Sequence, residues 1–266
     1  MDFMHFDPAL LMSFILTLFR ISIVLFMLPF FGGESAPLPV KASICLVLTL
    51  AVFPHVNFPG KLFPAHPFGL AVLFLGELLL GLILNLIMSV IFAAIQTGGQ
   101  LVGFQMGYSM VNAIDPVTGT QEPATSHFLY MIAMMTFMAL NGHLLLLKAV
   151  MDSFTIIPPG GLVLTSKMTS DVLTFSGEMF SLAIRLSAPV VVSIFLVDLA
   201  LALVSRAAPQ MNILMLGFPV KILVGFLFLG MLFTIMAMYM QDFLIDLGPL
   251  YDNIMHSGAP LPGASR

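Results

Sequence analysis

The chain has 266 residues, 59% of them hydrophobic and 8% charged, with a mean hydropathy of +1.08 and a formal net charge of −4. A soluble domain carries about 25% charged residues, so this chain cannot cover a water-facing surface of its own size, and its helices require lipid or protein around them. No Lys or Arg stands between Lys61 and Lys148, and without clustered basic residues a nucleic-acid partner is excluded.

Six stretches reach the roughly 20 apolar residues that a span needs: about 9–29, 38–56, 68–106, 127–149, 176–205 and 211–241. The expected fold is all-α, a single helical membrane domain over residues 1–266 with a flexible tail from about residue 250. Asp2 and Asp7 stand where a signal peptide carries basic residues, so the first segment is expected to be retained. Asp7 followed by Pro8 predicts an N-cap and first helical position, and Pro29 to Gly33 predict the end of that segment. Pro37 and Pro39 open the second segment, whose single cysteine, Cys45, permits no internal disulfide and reads as a small apolar residue. Four prolines between Phe53 and Pro67 predict a loop.

The third segment is too long. From Leu78 to Ile114 there are 37 residues without a charge, about 56 Å as one helix against a hydrocarbon core of about 30 Å. It must tilt, break or project from the bilayer. Its later part, QTGGQLVGFQMGYSMVNAIDPVTGTQEP, is polar and Gly-rich, and such backbone must pack in protein or line an aqueous cavity. Within it Gly99, Gly103 and Gly107 recur every four residues and predict a face where another helix approaches closely. Met106 and Met110 flank the expected break, where a flexible thioether can line or seal a passage.

In the fourth segment Met131, Met134, Met135 and Met138 share one helical stripe, which reads as core packing. Pro189 should kink the fifth segment, and Ser205 to Lys221 reads as the turn of a helical hairpin. Charges inside apolar runs are costly and call for partners. Arg20, Glu77, Arg185, Asp198 and Arg206 are therefore candidates for buried charge pairing. Arg185 and Asp198 are thirteen residues apart and point nearly opposite ways, so each should find its partner on another helix. Four basic residues against three on the two sides of a six-span chain set no orientation. His127 and His143 have no acidic partner between them, and no nucleophile or metal spacing occurs, so neither catalysis nor a cofactor or metal is expected.

These stretches, in this order, resemble the FliR family, flagellar export-gate proteins of the bacterial type III secretion apparatus with homologues in virulence injectisomes. The resemblance covers about residues 14 to 245. It is carried by FRISIVLFMLPFFGGESAPLPVK, LFLGELLLGLILN, AAIQTGGQLVGFQMGYSMVNAIDP, MALNGHLLLLKAVMDSFTIIPPGG and DLALALVSRAAPQMNILMLGFPVKILVG. It implies one copy per complex, assembled with FliP- and FliQ-type subunits and with FlhB- and FlhA-type subunits in the inner membrane at the flagellar basal body. Unfolded flagellar proteins would pass through that gate, driven from outside this chain. The resemblance also implies a pore plug, Met106, Gly107, Tyr108, Ser109, Met110, Val111, Asn112, Ala113, Ile114, Asp115, Pro116, Val117, Thr118 and Gly119. Two alternatives stay open. Glu77, Arg185 and Asp198 would suit a proton-coupled small-solute transporter with a midplane site, and the same gate role exists in injectisomes.

Overall fold

A computed structural model describes residues 8–28, 37–56, 66–107 and 123–259. The Asp7 cap and the stop at Pro29 to Gly33 fall outside the described residues; of the tail expected from about residue 250, residues 250–258 are helical, with Tyr251 and Ile254 buried, and the rest beyond residue 259 is not described.

Among the described residues seven α-helices follow in order: α1 Pro8–Met27, α2 Leu38–Val52, α3 Pro67–Gln105, α4 Ala124–Ala139, α5 Gly142–Ile156, α6 Ser166–Ala207 and α7 Ile213–Gly258. No strand occurs among the described residues, so the all-α expectation holds. Five of the helices are long and apolar enough to cross a membrane, or up to six spans if α4 and α5 count as one. Large apolar side chains stand open on the outside, as at Leu223, Leu227 and Ile245, which suits lipid or neighbouring protein and not water. The chain is a polytopic membrane protein.

Helix boundaries follow local chemistry. Pro8 opens α1 and Pro37 precedes α2, positions where the missing N–H costs nothing. The third segment stays helical through Gln105, 39 residues or about 58 Å, so the Gly-rich stretch before Met106 is not where the helix breaks. The fourth stretch, about 127–149 in the sequence, is made of two helices. It breaks between α4 and α5 with a bend of 68°, because Asn141 takes φ 57°, a left-handed conformation that Asn tolerates and Leu140 would resist. α6 begins at Ser166, well before the apolar stretch, and α7 runs on to Gly258; Lys167, Asp171 and Asp252 sit on these extensions without ending a helix. α6 also continues through Pro189, whose carbonyl accepts the Ser193 hydroxyl at 2.7 Å.

The chain packs around two centres. One unit comprises Met1–Ser89, Gly142–Ser176 and Asp246–Arg266; the other comprises Val90–Asn141 and Gly177–Ile245. Leu16, Leu80, Leu84, Ile87 and Tyr251 are sealed in the first. Ile91, Ile95, Leu129, Phe137 and Ile194 are sealed in the second, where the Phe92 ring meets Phe137 edge-on at 5.4 Å. In the first unit the Tyr251 hydroxyl donates to the Leu84 carbonyl at 2.8 Å, tying α7 to α3. Tyr251→Phe keeps the packing and removes that bond. We expect a loss of about 1 kcal/mol, read as a drop of a few degrees in the thermal unfolding midpoint in detergent. An unchanged midpoint would show the hydroxyl to be idle.

Candidate functional site

Two arrangements carry the polar and small residues singled out above. The first lies in the unit that holds the N-terminus. Arg20 on α1 and Glu77 on α3 form an ion pair, Nε to Oε2 at 2.6 Å and Nη2 to Oε1 at 3.0 Å, with side chains 1% and 2% exposed. Nη1 donates to the Ser153 hydroxyl and to the Ile157 carbonyl, both at 3.1 Å, and the Phe154 ring lies under the guanidinium at 4.3 Å. Such a two-pronged fork, satisfied on every side, is the form in which an apolar interior holds a charge pair.

Sequence provides for the pair locally. One turn after Glu77 stands Gly81, where an added methyl carbon would lie 2.8 Å from the Ile23 side chain; the bare backbone lets α1 approach α3. The turn Pro158–Gly161 then closes over the carboxylate. Gly160, at φ +78°, donates its N–H to Glu77 Oε1 at 2.7 Å. Ser153, Ile157 and Gly160 were not legible as members of this cluster. They contribute backbone groups and a hydroxyl, which leave no charge signature.

The second arrangement is the seam between α3 and α4 in the other unit. A methyl group added at Gly99 would lie 2.7 Å from Ser126 Cα, and at Gly103 it would lie 2.6 Å from both Pro123 Cβ and Thr125 Oγ1. The backbones therefore meet with no side chain between them. Thr125 Oγ1 donates to the Gly99 carbonyl at 3.1 Å and Ser126 Oγ to the Gln96 carbonyl at 2.9 Å, so the first turn of α4 is bonded to α3. Gly98, not singled out by the four-residue ladder, turns the other way, 3.1 Å from the Ala183 carbonyl of α6 by the same measure. The Gly98-Gly99 doublet, two adjacent small residues on different faces, was the available signal.

Past the seam α3 ends at Gln105 and turns at Gly107, whose φ of +93° a side chain would resist and which abuts the Phe218 ring of α7. Met106 is 1% exposed and packs its thioether against Gly225 of α7. Tyr108, Ser109, Met110, Val111, Asn112, Ala113, Ile114, Asp115, Pro116, Val117, Thr118 and Gly119 lie outside the described residues. The chain thus leaves at Gly107 and returns at Pro123, which is in contact with Gly103.

The remaining charges divide. Asp198 on α6 pairs with Lys221 on α7 at 2.5 Å. Arg185 and Arg206 are exposed, with no ion-pair partner among the described residues, so neither is buried as expected. The methionine stripe is also corrected. Met131, Met135 and Met138 are exposed on α4 and are not core, because the buried face of α4 is the one that carries Thr125, Ser126, Leu129, Ala133 and Phe137. Among the described residues no group of three His, Cys, Asp or Glu side chains could hold a metal.

Comparison with known proteins gives one consistent result. The family described as "Bacterial export proteins, family 1" matches residues 11–247. "Flagellar biosynthetic protein FliR" of Bacillus subtilis is 34% identical over 223 residues, 82% of this chain and 84% of that protein. The protein of the same name from Escherichia coli is 28% identical over 238 residues, 90% of each. That from Aquifex aeolicus is 27% identical over 248 residues, 93% of this chain and 95% of the relative.

Proposed function

We propose, from the premise that this chain belongs to the bacterial export proteins, family 1, that it is a structural subunit of the flagellar type III protein export gate. The observation that carries the reading is the extent of the likeness, nearly end to end, to proteins named for flagellar biosynthesis. In this role the chain joins FliP- and FliQ-type subunits, with FlhB- and FlhA-type subunits alongside, in the bacterial inner membrane. Unfolded flagellar proteins pass through the assembly. The chain's contribution is shape, not chemistry. The Arg20–Glu77 cluster fixes α1, α3 and α5 to one another, and the Gly99–Gly103 seam fixes α3 against α4.

The solute-transporter reading drew on Glu77, Arg185 and Asp198 inside apolar segments, with a midplane site in the third segment. Two of the three are neutralised inside the chain, which removes most of its motivation. The gate reading is tested in a flagellated strain lacking its own gene for this subunit. Expression of the chain with its cognate partners should restore swimming and flagellin secretion. Stable, monodisperse chain without partners, together with solute flux in vesicles, would sink it.

The plug reading rests on the resemblance and on the Gly-, Asn- and Asp-Pro-rich sequence of residues 107–119, too irregular for lipid. Met106 and Gly107 anchor its near end. Deleting residues 111–118 should leave the amount of assembled complex unchanged while raising ion conductance of membranes that carry it. Met110→Ser should do the same more weakly, because one conforming apolar side chain leaves the seal. A complete complex with no added conductance would make the segment a scaffold turn.

A further inference from the structure

Arg206, unpaired, stands in the last turn of α6, whereas Arg185 lies well inside that helix and finds no ion-pair partner among the described residues. It lies near the middle of α6, exposed. Large apolar side chains stand open on both sides of it, Phe180 and Ile184 before, Val192 and Phe195 after. A membrane boundary would look different: apolar exposure would stop at the charge, and Tyr or Trp would mark the headgroup level. α6 carries neither aromatic. On the same face, at helical spacing of four, are Ser181 and Gly177, and an added methyl at Gly177 would meet nothing within 4 Å.

Taking the chain as an export-gate subunit, we propose that this face of α6 docks a helix of a neighbouring subunit and that Arg185 pairs with a carboxylate on that helix. Charge complementarity selects the occupant. A guanidinium within an apolar face is tolerated only when it is met by an acceptor of opposite charge; Asp198 of the same helix is already held by Lys221, and Glu178, two turns away on α6, makes no ion pair with Arg185. The small residues one and two turns away leave room for a helix backbone to come close, and the apolar side chains around the charge exclude water from the pair. A lipid phosphate would satisfy the same guanidinium, but it would not account for open apolar surface on both sides of it.

The test uses the full chain co-expressed with its cognate gate subunits and extracted in mild detergent. The readout is the ratio of this chain in the complex to the total chain in the membrane. Arg185→Met and Arg185→Glu should lower that ratio at least about tenfold, since either leaves a buried partner charge unmatched, while Arg185→Lys should hold most of it. In the Arg185→Glu background, reversing one acidic residue to Lys in a single neighbouring subunit should restore the complex. Wild-type ratios for Arg185→Glu would overturn the proposal. So would a loss that no reversal in any subunit repairs and that is matched by a fall in the total membrane level of the chain, the signature of a headgroup contact or a folding defect. If the wild-type chain does not assemble with gate subunits at all, the export-gate reading fails on that control. Arg185 is then judged by the same variants in whichever complex the wild-type chain forms.

Discussion

Arg20→Ala should sharply lower recovery of the folded chain under conditions where the wild type survives purification, with an expected loss of about 3–5 kcal/mol. The size follows from what remains behind. Glu77 stays, with a side chain 2% exposed and only the Gly160 N–H to meet its charge. The Ile157 carbonyl loses its donor, though the Ser153 hydroxyl keeps its own bond to the Val150 carbonyl. Glu77→Ala should cost a similar amount for the mirrored reason. The double replacement Arg20→Met with Glu77→Leu should recover part of the loss, because two apolar side chains of like volume suit the site better than one stranded ion. Recovery stays partial, since the Gly160 N–H and the Ile157 carbonyl are still orphaned at about 1–3 kcal/mol each. The exchange Arg20→Glu with Glu77→Arg should fail, because Gly160 would then offer a donor to a cation. Thermal unfolding in detergent ranks the four variants. Singles within about 1 kcal/mol of wild type would mean that the pair is hydrated and the burial wrong.

The second large effect belongs to the seam. Gly99→Leu and Gly103→Leu should both prevent α4 from seating on α3. Overpacking costs about 1–3 kcal/mol where neighbours can move, and more is expected here. The alanine variants give the sharper test. At Gly99 an added methyl meets the Ser126 backbone, whereas at Gly103 it meets the Pro123 ring and the Thr125 hydroxyl. A backbone atom in a bonded helix yields less than a side chain, so Gly99→Ala should be the more damaging. Gly230→Ala is the counterpart control. Nothing lies within 4 Å of the added carbon, and the gain in helix propensity is up to about 1 kcal/mol. Protease resistance of the isolated chain, measured across the three, should fall for Gly99, fall less for Gly103 and hold or rise for Gly230. An inverted order would show that α3 and α4 are not packed in this way.

Much of this was legible because it is local. Helix type follows from uninterrupted apolar runs, and the face formed by Gly99 and Gly103 follows from a spacing of four. Partners were not legible. Arg20 announces that it needs an acceptor but says nothing of Glu77, 57 residues away, or of Ile157, 137 away. Asp198 was expected to look outside α6, and only the turn geometry between α6 and α7 names Lys221. The break at Asn141 had a local mark, an Asn-Gly pair within an apolar run, which the surrounding hydropathy outweighed. Arg185 and Met135 look buried by composition and are exposed in the chain. Apolar sequence means absence of water, and lipid or a neighbouring subunit meets that condition as well as a core does.

The contact of Pro123 with Gly103 has a consequence in polymer statistics. The ends of the connection over residues 108–122 are brought together by α3 and α4 themselves, through two hydroxyl-to-carbonyl bonds and a bare backbone contact. Ring closure is thus charged to the seam and not to the connection. For a freely coiling connection, doubling its length would add only about 0.6 kcal/mol of closure entropy, less than the loss of one seam hydroxyl. For such a connection, residues could be added or removed with little effect on whether the helices fold. Its length is consequently a quantity that selection can adjust to the width of whatever it spans, independently of the scaffold that holds its two ends.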